Sequence, residues 1–185
     1  MSLVESTMVP IGTQAPNFHL KDTVSGNYYS LDDLKSDVAT VIMFICNHCP
    51  FVIHVNHELV NMANEYKHKG VSFIAISSND VEGYPEDSPD KMSIVAKVLK
   101  FPYPYLYDKR QEMAKSYDAA CTPDFYVFDG DLKLSYRGRM DASRPGNSIP
   151  VTGEDLRNAI DKTINREQIE VQIPSAGCNI KWIQS

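Results

Sequence analysis

The 185-residue chain lacks several features that mark specialised classes of protein. It contains no apolar stretch close to the ~20 residues that span a bilayer, and no internal repeat or low-complexity segment. No block of lysine and arginine stands out, and the net charge is −6. Because nucleic acids and anionic membranes attract basic surfaces, we expect neither as a partner. The composition suits a globular protein with one packed domain over residues 1–185.

Cysteine is scarce, and its distribution indicates chemistry rather than cross-linking. Four cysteines are too few for a disulfide-stapled framework of this size. In a reducing compartment such residues are more often catalytic, metal-binding or buried. The first ten residues also lack the basic and apolar pattern of a secretory leader. The sequence therefore predicts a cytoplasmic protein whose cysteines need an explanation of their own.

Two of the cysteines lie one helical turn apart in the segment Cys46-Asn47-His48-Cys49-Pro50. The apolar run 39–45 before it predicts a buried strand, and the spacing of apolar residues over 51–69 predicts a one-sided helix. Both sulfurs then lie at a helix N-terminus, where unpaired N–H groups and the macrodipole favour a thiolate. The pair therefore has the position and the spacing of a redox-active disulfide.

His48 strengthens this interpretation, because a histidine between the cysteines can place positive charge near Cys46. Such a charge would stabilise a Cys46 thiolate and make the disulfide more oxidising. We expect Cys46 to attack a substrate disulfide and Cys49 to resolve the mixed disulfide that results. Two other interpretations stay open, namely two buried inert cysteines or half of a zinc site. His48, His54 and His57 could complete such a site, although the sequence offers no second Cys-x-x-Cys pair.

The remaining pattern predicts an α/β fold with a mixed central β-sheet flanked by helices. An N-terminal hairpin precedes a right-handed parallel strand–helix–strand unit, and a second hairpin turns at Gly130. We expect a core over about residues 10–165 and a C-terminal extension over 166–185 that docks onto it. The predicted strands are 17–20, 27–30, 39–45, 71–77, 103–107, 125–128 and 132–136. The predicted helices are 31–35, 51–69 and 111–117, with two more that begin after Ser88 and Thr152.

Five short motifs are distributed along the chain. They are Cys-Asn-His-Cys-Pro at 46–50, Tyr-Pro-Glu-Asp at 84–87, Thr-Pro-Asp-Phe at 122–125, Gly-Arg-x-Asp at 138–141 and Gly-Cys-x-Ile-Lys-Trp at 177–182. With these motifs the chain resembles the thioredoxin superfamily, and within it the peroxiredoxin-like, AhpC/TSA-type branch that includes TlpA-like redoxins. The resemblance extends from about residue 10 to residue 182 and is more specific than Cys-x-x-Cys alone.

The resemblance implies a thioredoxin-like fold in which Pro123 is cis and faces the disulfide, while the backbone of Thr122 holds an extended substrate chain. It implies a thiol–disulfide oxidoreductase that acts through a mixed disulfide on protein or small-molecule disulfides and dithiols. An external thiol would act as reductant, and neither a cofactor nor a metal is expected. Cys121 and Cys178 are candidate accessory thiols, although Cys121 could be a small core residue and Cys178 could help to pin the tail.

Two alternative functions stay open. In a thiol peroxidase Cys49 would be the peroxidatic cysteine, and Cys46 would occupy the position where peroxiredoxins carry Thr or Ser. The other alternative is a non-catalytic module that binds zinc or a partner. The strand 39–45 contains no acid, so His48, Glu58 or water would accept the proton of the second thiol. Three arginines near the second hairpin are expected to be solvated: Arg137, Arg139 and Arg144.

Overall fold

A computed structural model describes residues 3–184 and shows two β-sheets with helices packed around them. The strands are β1 (Leu3–Glu5), β2 (His19–Asp22), β3 (Tyr28–Ser30), β4 (Ala39–Phe44), β5 (Val71–Ser77), β6 (Tyr105–Tyr107), β7 (Cys121–Thr122), β8 (Asp124–Asp129), β9 (Leu134–Gly138) and β10 (Ala176–Asn179). The helices are α1 (Leu31–Leu34), α2 (Pro50–Lys67), α3 (Pro89–Val98), α4 (Glu112–Ser116) and α5 (Glu154–Ile164). None of these helices is long and apolar enough to cross a membrane.

The larger sheet has seven strands in the order β3-β2-β6-β5-β4-β8-β9. The three middle strands β6, β5 and β4 are parallel to one another, and the outer strands pair antiparallel. Strand β4 is buried along its whole length, as its apolar sequence predicts for a strand that is covered on both faces. The predicted mixed sheet, its N-terminal hairpin and the hairpin at Gly130 are therefore confirmed.

Helix α2 packs on the sheet and carries the second cysteine of the pair at its start. Cys49 is the N-cap residue, and Pro50 is the first helical residue, where a missing N–H costs no hydrogen bond. The helix ends at Lys67, and Gly70 follows with a φ of +79°, a left-handed conformation that glycine adopts without strain. Its buried apolar residues recur at steps of three and four, as predicted: Val52, Val55, Leu59, Met62 and Tyr66.

A second, smaller sheet docks the C-terminal tail onto the body. Its strand order is β1-β10-β7, and all of its pairings are antiparallel. Strand β10 brings Cys178 opposite Thr122 and Asn179 opposite Cys121. The docked tail is therefore confirmed, whereas the boundary at residue 165 stays a prediction. Strands β1 and β7 were not expected, because strands of two or three residues show no periodicity in the sequence.

The start of α5 differs from the prediction. The sequence predicts Thr152 as the cap, and this is wrong because Gly153 is the N-cap residue, with a φ of +67°. The cause is Asp141, whose carboxylate accepts hydrogen bonds from the backbone N–H groups of Thr152 and Gly153, at 2.9 and 2.7 Å. A carboxylate from the preceding loop thus supplies the acceptor and the negative charge that a helix start favours.

The prediction of solvated arginines is wrong for Arg137, which lies on β9 and is fully buried. Its Nη2 lies 2.9 Å from Asp124 Oδ2 and 2.6 Å from the carbonyl oxygen of Asp118, and its guanidinium lies 4.8 Å from the centre of the Tyr126 ring. The side chain faces the interior from the middle of a hairpin strand, so its charge is paired instead of hydrated. Two of the three arginines keep partial solvent exposure: Arg139 and Arg144.

Candidate active site

The two cysteines of the Cys-x-x-Cys segment lie where β4 ends and α2 begins. Both are buried, with 2% of Cys46 and none of Cys49 exposed. Thr122 lies against both sulfurs, because Cys46 Sγ is 3.5 Å from its hydroxyl and Cys49 Sγ is 3.2 Å from its carbonyl oxygen. The Thr122–Pro123 peptide bond is cis. The structure thus brings four of the predicted site residues into one cluster, with both sulfurs reduced.

The two thiols of the pair have pKa values that are shifted in opposite directions. A hydrogen bond from the Cys46 thiol lowers the pKa of Cys49 to about 5; burial opposes this shift, and the Cys178 thiol and Thr122 add to it. The same hydrogen bond raises the pKa of Cys46 well above its ordinary value, and burial and the charge of Asp87 act in the same direction. These shifts favour the thiolate on Cys49, at the positive end of α2, over a thiolate on Cys46.

The Cys46 thiolate stays a prediction, and a residue that the sequence interpretation missed acts against it. Asp87 is fully buried in a 3-10 turn before α3. Its Oδ1 accepts from the backbone N–H groups of Asn47 and His48, at 2.8 and 3.3 Å. Its Oδ2 accepts from Asn79 Nδ2 at 2.8 Å and lies 2.7 Å from His48 Nδ1. A second negative charge on Cys46 would lie beside this carboxylate.

His48 is oriented by Asp87 and by an aromatic ring. Its imidazole stacks on Tyr84 with the ring centres 5.4 Å apart and the planes 9° apart. Nδ1 lies 2.7 Å from Asp87 Oδ2, so the carboxylate holds the imidazole in place. Tyr84 and Asp87 are the first and last residues of the Tyr-Pro-Glu-Asp motif. This motif is the sequence signal that could have located the network, whereas above it serves only as a mark of family resemblance.

The C-terminal tail closes the site around the sulfurs. Cys178 Sγ lies 2.8 Å from Cys49 Sγ. Further along the tail, the Lys181 N–H donates to Asn79 Oδ1 at 2.9 Å, and the Lys181 carbonyl accepts from the Asp80 N–H at 2.8 Å. Because Asn79 also donates to the carboxylate beneath the cysteines, the tail and the redox pair share one hydrogen-bond network.

The other candidate residues do not join the sulfur pair. The Cys121 sulfur faces two backbone carbonyl oxygens, at 3.7 and 3.9 Å, and burial raises its pKa. His54 Nε2 lies 2.7 Å from Ser143 Oγ, and His57 is exposed. These contacts describe a core cysteine and two histidines of the α2 surface.

Cys46 and two side chains beside it carry donor atoms of the kind that metal ions bind. The donor atoms of Cys46, His48 and Asp87 all lie within 4.8 Å of one another. Structural zinc sites use four ligands, usually as two close pairs. This set includes Cys46 and His48 of the site that the sequence suggested, but not Cys49, His54 or His57.

A sequence model of the AhpC/TSA family matches residues 11–137, which include the cysteine pair and its buried carboxylate. No curated protein matches the sequence. An uncharacterized conserved protein from Geobacillus kaustophilus is 62% identical, with a TM-score of 0.98 over 100% of this chain and 98% of its own. A hypothetical protein from Sinorhizobium meliloti 1021 is 40% identical, with a TM-score of 0.95 over 98% of this chain and 99% of its own.

A more distant structure shares the fold. A putative thiol:disulfide interchange protein DsbE from Chlorobium tepidum is 18% identical, with a TM-score of 0.66 over 85% of this chain and 99% of its own. At this identity the likeness concerns the arrangement of strands and helices. It confirms the thioredoxin-like fold that the motifs implied.

Proposed function

We propose that this chain, which belongs to the AhpC/TSA family, is a thiol–disulfide oxidoreductase with Cys46 and Cys49 as its redox-active pair. One observation carries the proposal: the Cys46 and Cys49 sulfurs, at the start of α2, both lie against Thr122, at 3.5 and 3.2 Å. A thiolate is the reactive form of cysteine, and a second thiol within hydrogen-bond reach can close a disulfide with it. The name of the fold relative from Chlorobium tepidum, a putative interchange protein, agrees with this chemistry.

The proposed reaction begins at Cys46, which retains slight exposure where Cys49 has none. As Cys46 attacks one sulfur of a substrate disulfide, its proton passes along the hydrogen bond to Cys49, and the other substrate sulfur leaves as a thiolate. Cys49 then loses that proton to the substrate thiolate already released and attacks Cys46 Sγ. This breaks the bond between Cys46 and the substrate, whose second sulfur leaves as a thiolate and takes up a proton from solvent. Two protein thiols are oxidised to one disulfide and one substrate disulfide is reduced to two thiols. The same steps in reverse oxidise a dithiol.

Asp87 and His48 are proposed as positioning residues in this scheme. Asp87 holds the backbone between the cysteines through the N–H groups of Asn47 and His48. His48 places its ring against that carboxylate, where Nδ1 can donate a hydrogen bond to Oδ2. Removal of the imidazole would leave the buried carboxylate without that hydrogen bond.

Thr122 and Pro123 are the proposed contacts for the substrate chain, and Thr122 lies against both sulfurs. Strand β10 already pairs with Thr122, so an extended substrate would have to displace or extend this small sheet. We expect protein or small-molecule disulfides and dithiols as substrates, and an external thiol as reductant. A cytoplasmic location stays a prediction from the sequence.

Serine variants test the proposal with insulin as the disulfide substrate and dithiothreitol as the external reductant. We expect wild-type protein to accelerate insulin reduction, and Cys46→Ser and Cys49→Ser to lose that activity. Cys49→Ser should accumulate a mixed disulfide at Cys46, because the resolving thiol is absent. Cys121→Ser removes a buried cysteine outside the pair and is the matched control. Full activity in Cys46→Ser would contradict the proposal.

A thiol peroxidase is the second candidate, and the lowered pKa of Cys49 favours it. A hydroperoxide would oxidise the Cys49 thiolate to a sulfenic acid and be reduced to an alcohol or water, after which Cys46 would condense with the sulfenic acid and release water. A Cys46→Ser, Cys178→Ser double variant isolates Cys49. Rapid labelling of this variant by dimedone after peroxide treatment would establish the peroxidase, and the absence of labelling would exclude it.

A non-catalytic zinc module is the third candidate, and only the cluster of Cys46, His48 and Asp87 favours it. Its test is the zinc content of the reduced protein after dialysis. A near-stoichiometric content that falls in His48→Ala would support the module. A low content would leave the redox pair as the function of these residues.

A further inference from the structure

The tail strand β10 places a third sulfur against the redox pair. The antiparallel pairing of β10 with β7 sets Cys178 opposite Thr122, whose carbonyl oxygen also contacts Cys49. As a result the Cys49 and Cys178 sulfurs are 2.8 Å apart. The S–S bond of a disulfide is about 2.05 Å long, so a shift of less than about 1 Å would bring these atoms to bonding distance.

The position of Cys178 is built into the tail. Gly177 packs so closely on β7 that a Cβ atom there would overlap the backbone carbonyl of Thr122. Beyond the strand, the backbone of Lys181 makes two hydrogen bonds to the body, and the Ile183 N–H donates to Gln111 Oε1 at 2.9 Å. Contacts on both sides of Cys178 therefore hold its sulfur at the pair.

The reactivity of Cys178 depends on the redox state of Cys49. In the reduced protein burial raises the pKa of Cys178 to about 12, and the hydrogen bond to Cys49 and the charge of Cys49 add to that increase. When Cys49 is bonded to Cys46, it carries no negative charge, so two of these three causes disappear. Lys181 acts in the opposite direction and lowers the pKa of Cys178. Oxidation of the pair therefore lowers the pKa of Cys178 from its value in the reduced protein, although burial still raises it.

We propose that Cys178 is a third redox residue, which exchanges with the Cys46–Cys49 disulfide and forms a Cys49–Cys178 disulfide. The Cys178 thiolate attacks Cys49 Sγ, the bond between Cys46 and Cys49 breaks, and Cys46 leaves as a thiolate that takes up the proton lost by Cys178. One disulfide breaks and one forms, so the oxidation state of the chain does not change. The inference rests on the proposed function, because a substrate disulfide first oxidises the pair.

Cys121 provides a contrast from the same small sheet. It is as deeply buried as the other cysteines, but its sulfur contacts the backbone carbonyls of Pro123 and Ser175 rather than a sulfur. Its neighbour across the strand is Asn179. Exchange with the pair is therefore expected of Cys178 and not of Cys121.

Peptide mapping after limited oxidation tests the exchange on the full chain. Reduced protein receives enough diamide to form one disulfide per molecule, is quenched with acid, alkylated with N-ethylmaleimide and digested with trypsin. Cys46 and Cys49 share the tryptic peptide 36–67, Cys178 lies in 167–181 and Cys121 in 116–133. A Cys46–Cys49 disulfide stays within one peptide, whereas exchange links 36–67 to 167–181 and leaves Cys46 alkylated.

We expect the linked peptides in wild-type protein, and as the main product in Cys46→Ser. They should be lost in Cys178→Ser and unchanged in Cys121→Ser. The inference would be overturned if peptide 167–181 were unlinked and alkylated in both wild-type protein and Cys46→Ser. If wild-type protein still formed the internal Cys46–Cys49 disulfide, the proposed function would stand. If Cys178→Ser fails to form the internal disulfide, the proposed function itself fails.

A second variant moves the tail without removing a thiol. Gly177→Ala introduces the overlap with the Thr122 carbonyl, so we expect the linked peptides to decrease strongly while the internal disulfide still forms. Gly83→Ala is the matched control, because its Cβ would approach only the flexible side chain of Asp80, at 2.8 Å. Equal amounts of linked peptide in Gly177→Ala and Gly83→Ala would contradict the role of the strand.

Discussion

Replacement of Cys178 by alanine tests which groups stabilise the Cys49 thiolate. The largest contribution to the low pKa of Cys49 is the hydrogen bond from the Cys46 thiol; burial opposes it, and the Cys178 thiol adds the next favourable contact. The two sulfurs are 2.8 Å apart. A Cys49 thiolate can only accept in this contact, so Cys178 would be its donor. Alanine removes that donor and leaves the other contacts of Cys49 in place.

The expected size of the effect follows from the energy of a single charge-assisted hydrogen bond. A hydrogen bond to a charged group contributes about 1.5–3 kcal/mol, and S–H is a weak donor, so the lower end applies. Since one pKa unit corresponds to about 1.4 kcal/mol, Cys178→Ala should raise the apparent pKa of Cys49 by about one unit, from about 5 to about 6. Cys178→Ser keeps a hydroxyl donor at the same position and should stay near the wild-type value.

The ultraviolet absorbance of the thiolate, followed from about pH 3 to pH 9, measures this change. Wild-type protein should gain one thiolate per molecule with a midpoint near pH 5, and the same titration in denaturant should show an ordinary cysteine midpoint. A thermal unfolding curve for each variant confirms that the fold is intact. The role of Cys178 is refuted if Cys178→Ala has the same titration midpoint as wild-type protein. The low pKa of Cys49 is refuted if no thiolate appears below pH 7.

Three further outcomes follow from the buried charges. Arg137→Met leaves the Asp124 carboxylate buried without its partner and should cost about 3–5 kcal/mol of unfolding free energy in a denaturant titration; a loss below about 1 kcal/mol would show that the ion pair is not needed. Asp87→Asn removes the negative charge beside Cys46, so alkylation of Cys46 should move to lower pH, and an unchanged profile would contradict this. The folded chain loses the Cys49 proton at a lower pH than the unfolded chain, so the free energy of unfolding should fall as the pH decreases towards about 5. The melting temperature of Cys49→Ser should lack this part of the pH dependence.

The parts of the fold that local patterns specify could be predicted from the sequence. The run Ala39–Phe44 is almost entirely apolar, and it forms the central strand. Ser30 accepts from the Asp33 N–H while Asp33 accepts from the Ser30 N–H, which is the capping box that ends β3 and begins α1. In these segments the information lies within a few neighbouring residues, so periodicity and capping rules suffice.

The buried carboxylate of the site could not be predicted by the same rules. Asp87 contacts residues of the Cys-x-x-Cys segment that lie 39 and 40 positions earlier in the chain. Its turn has neither helical nor strand periodicity, and an exposed aspartate in a polar loop is the ordinary expectation. The acid that β4 lacks is therefore supplied by a loop after β5, and only the three-dimensional path of that loop reveals it.

Arg137 shows a similar limit for charge. Its strand alternates polar and apolar residues in a way that suits one solvated face, and so the sequence favours an exposed arginine. In the hairpin register Arg137 lies opposite Tyr126. Asp124 directly follows Pro123, whose peptide bond with Thr122 is cis. The ion pair is thus created by tertiary packing around β7 and β8. The pattern of apolar residues does not show which charged side chains are buried beside a partner of opposite charge.

Asn79 makes the tail a component of the active site rather than a cover over it. Its amide oxygen accepts from the Lys181 N–H, and its amide nitrogen donates to Asp87 Oδ2, at 2.9 and 2.8 Å. An amide fixed at both ends keeps one orientation; without the tail it would lose the partner that fixes its oxygen. Displacement of the tail would then weaken the support of Asp87 at the same time as it removes Cys178 from Cys49. Movement of the tail therefore acts on both cysteines, through a carboxylate on one side and a sulfur on the other.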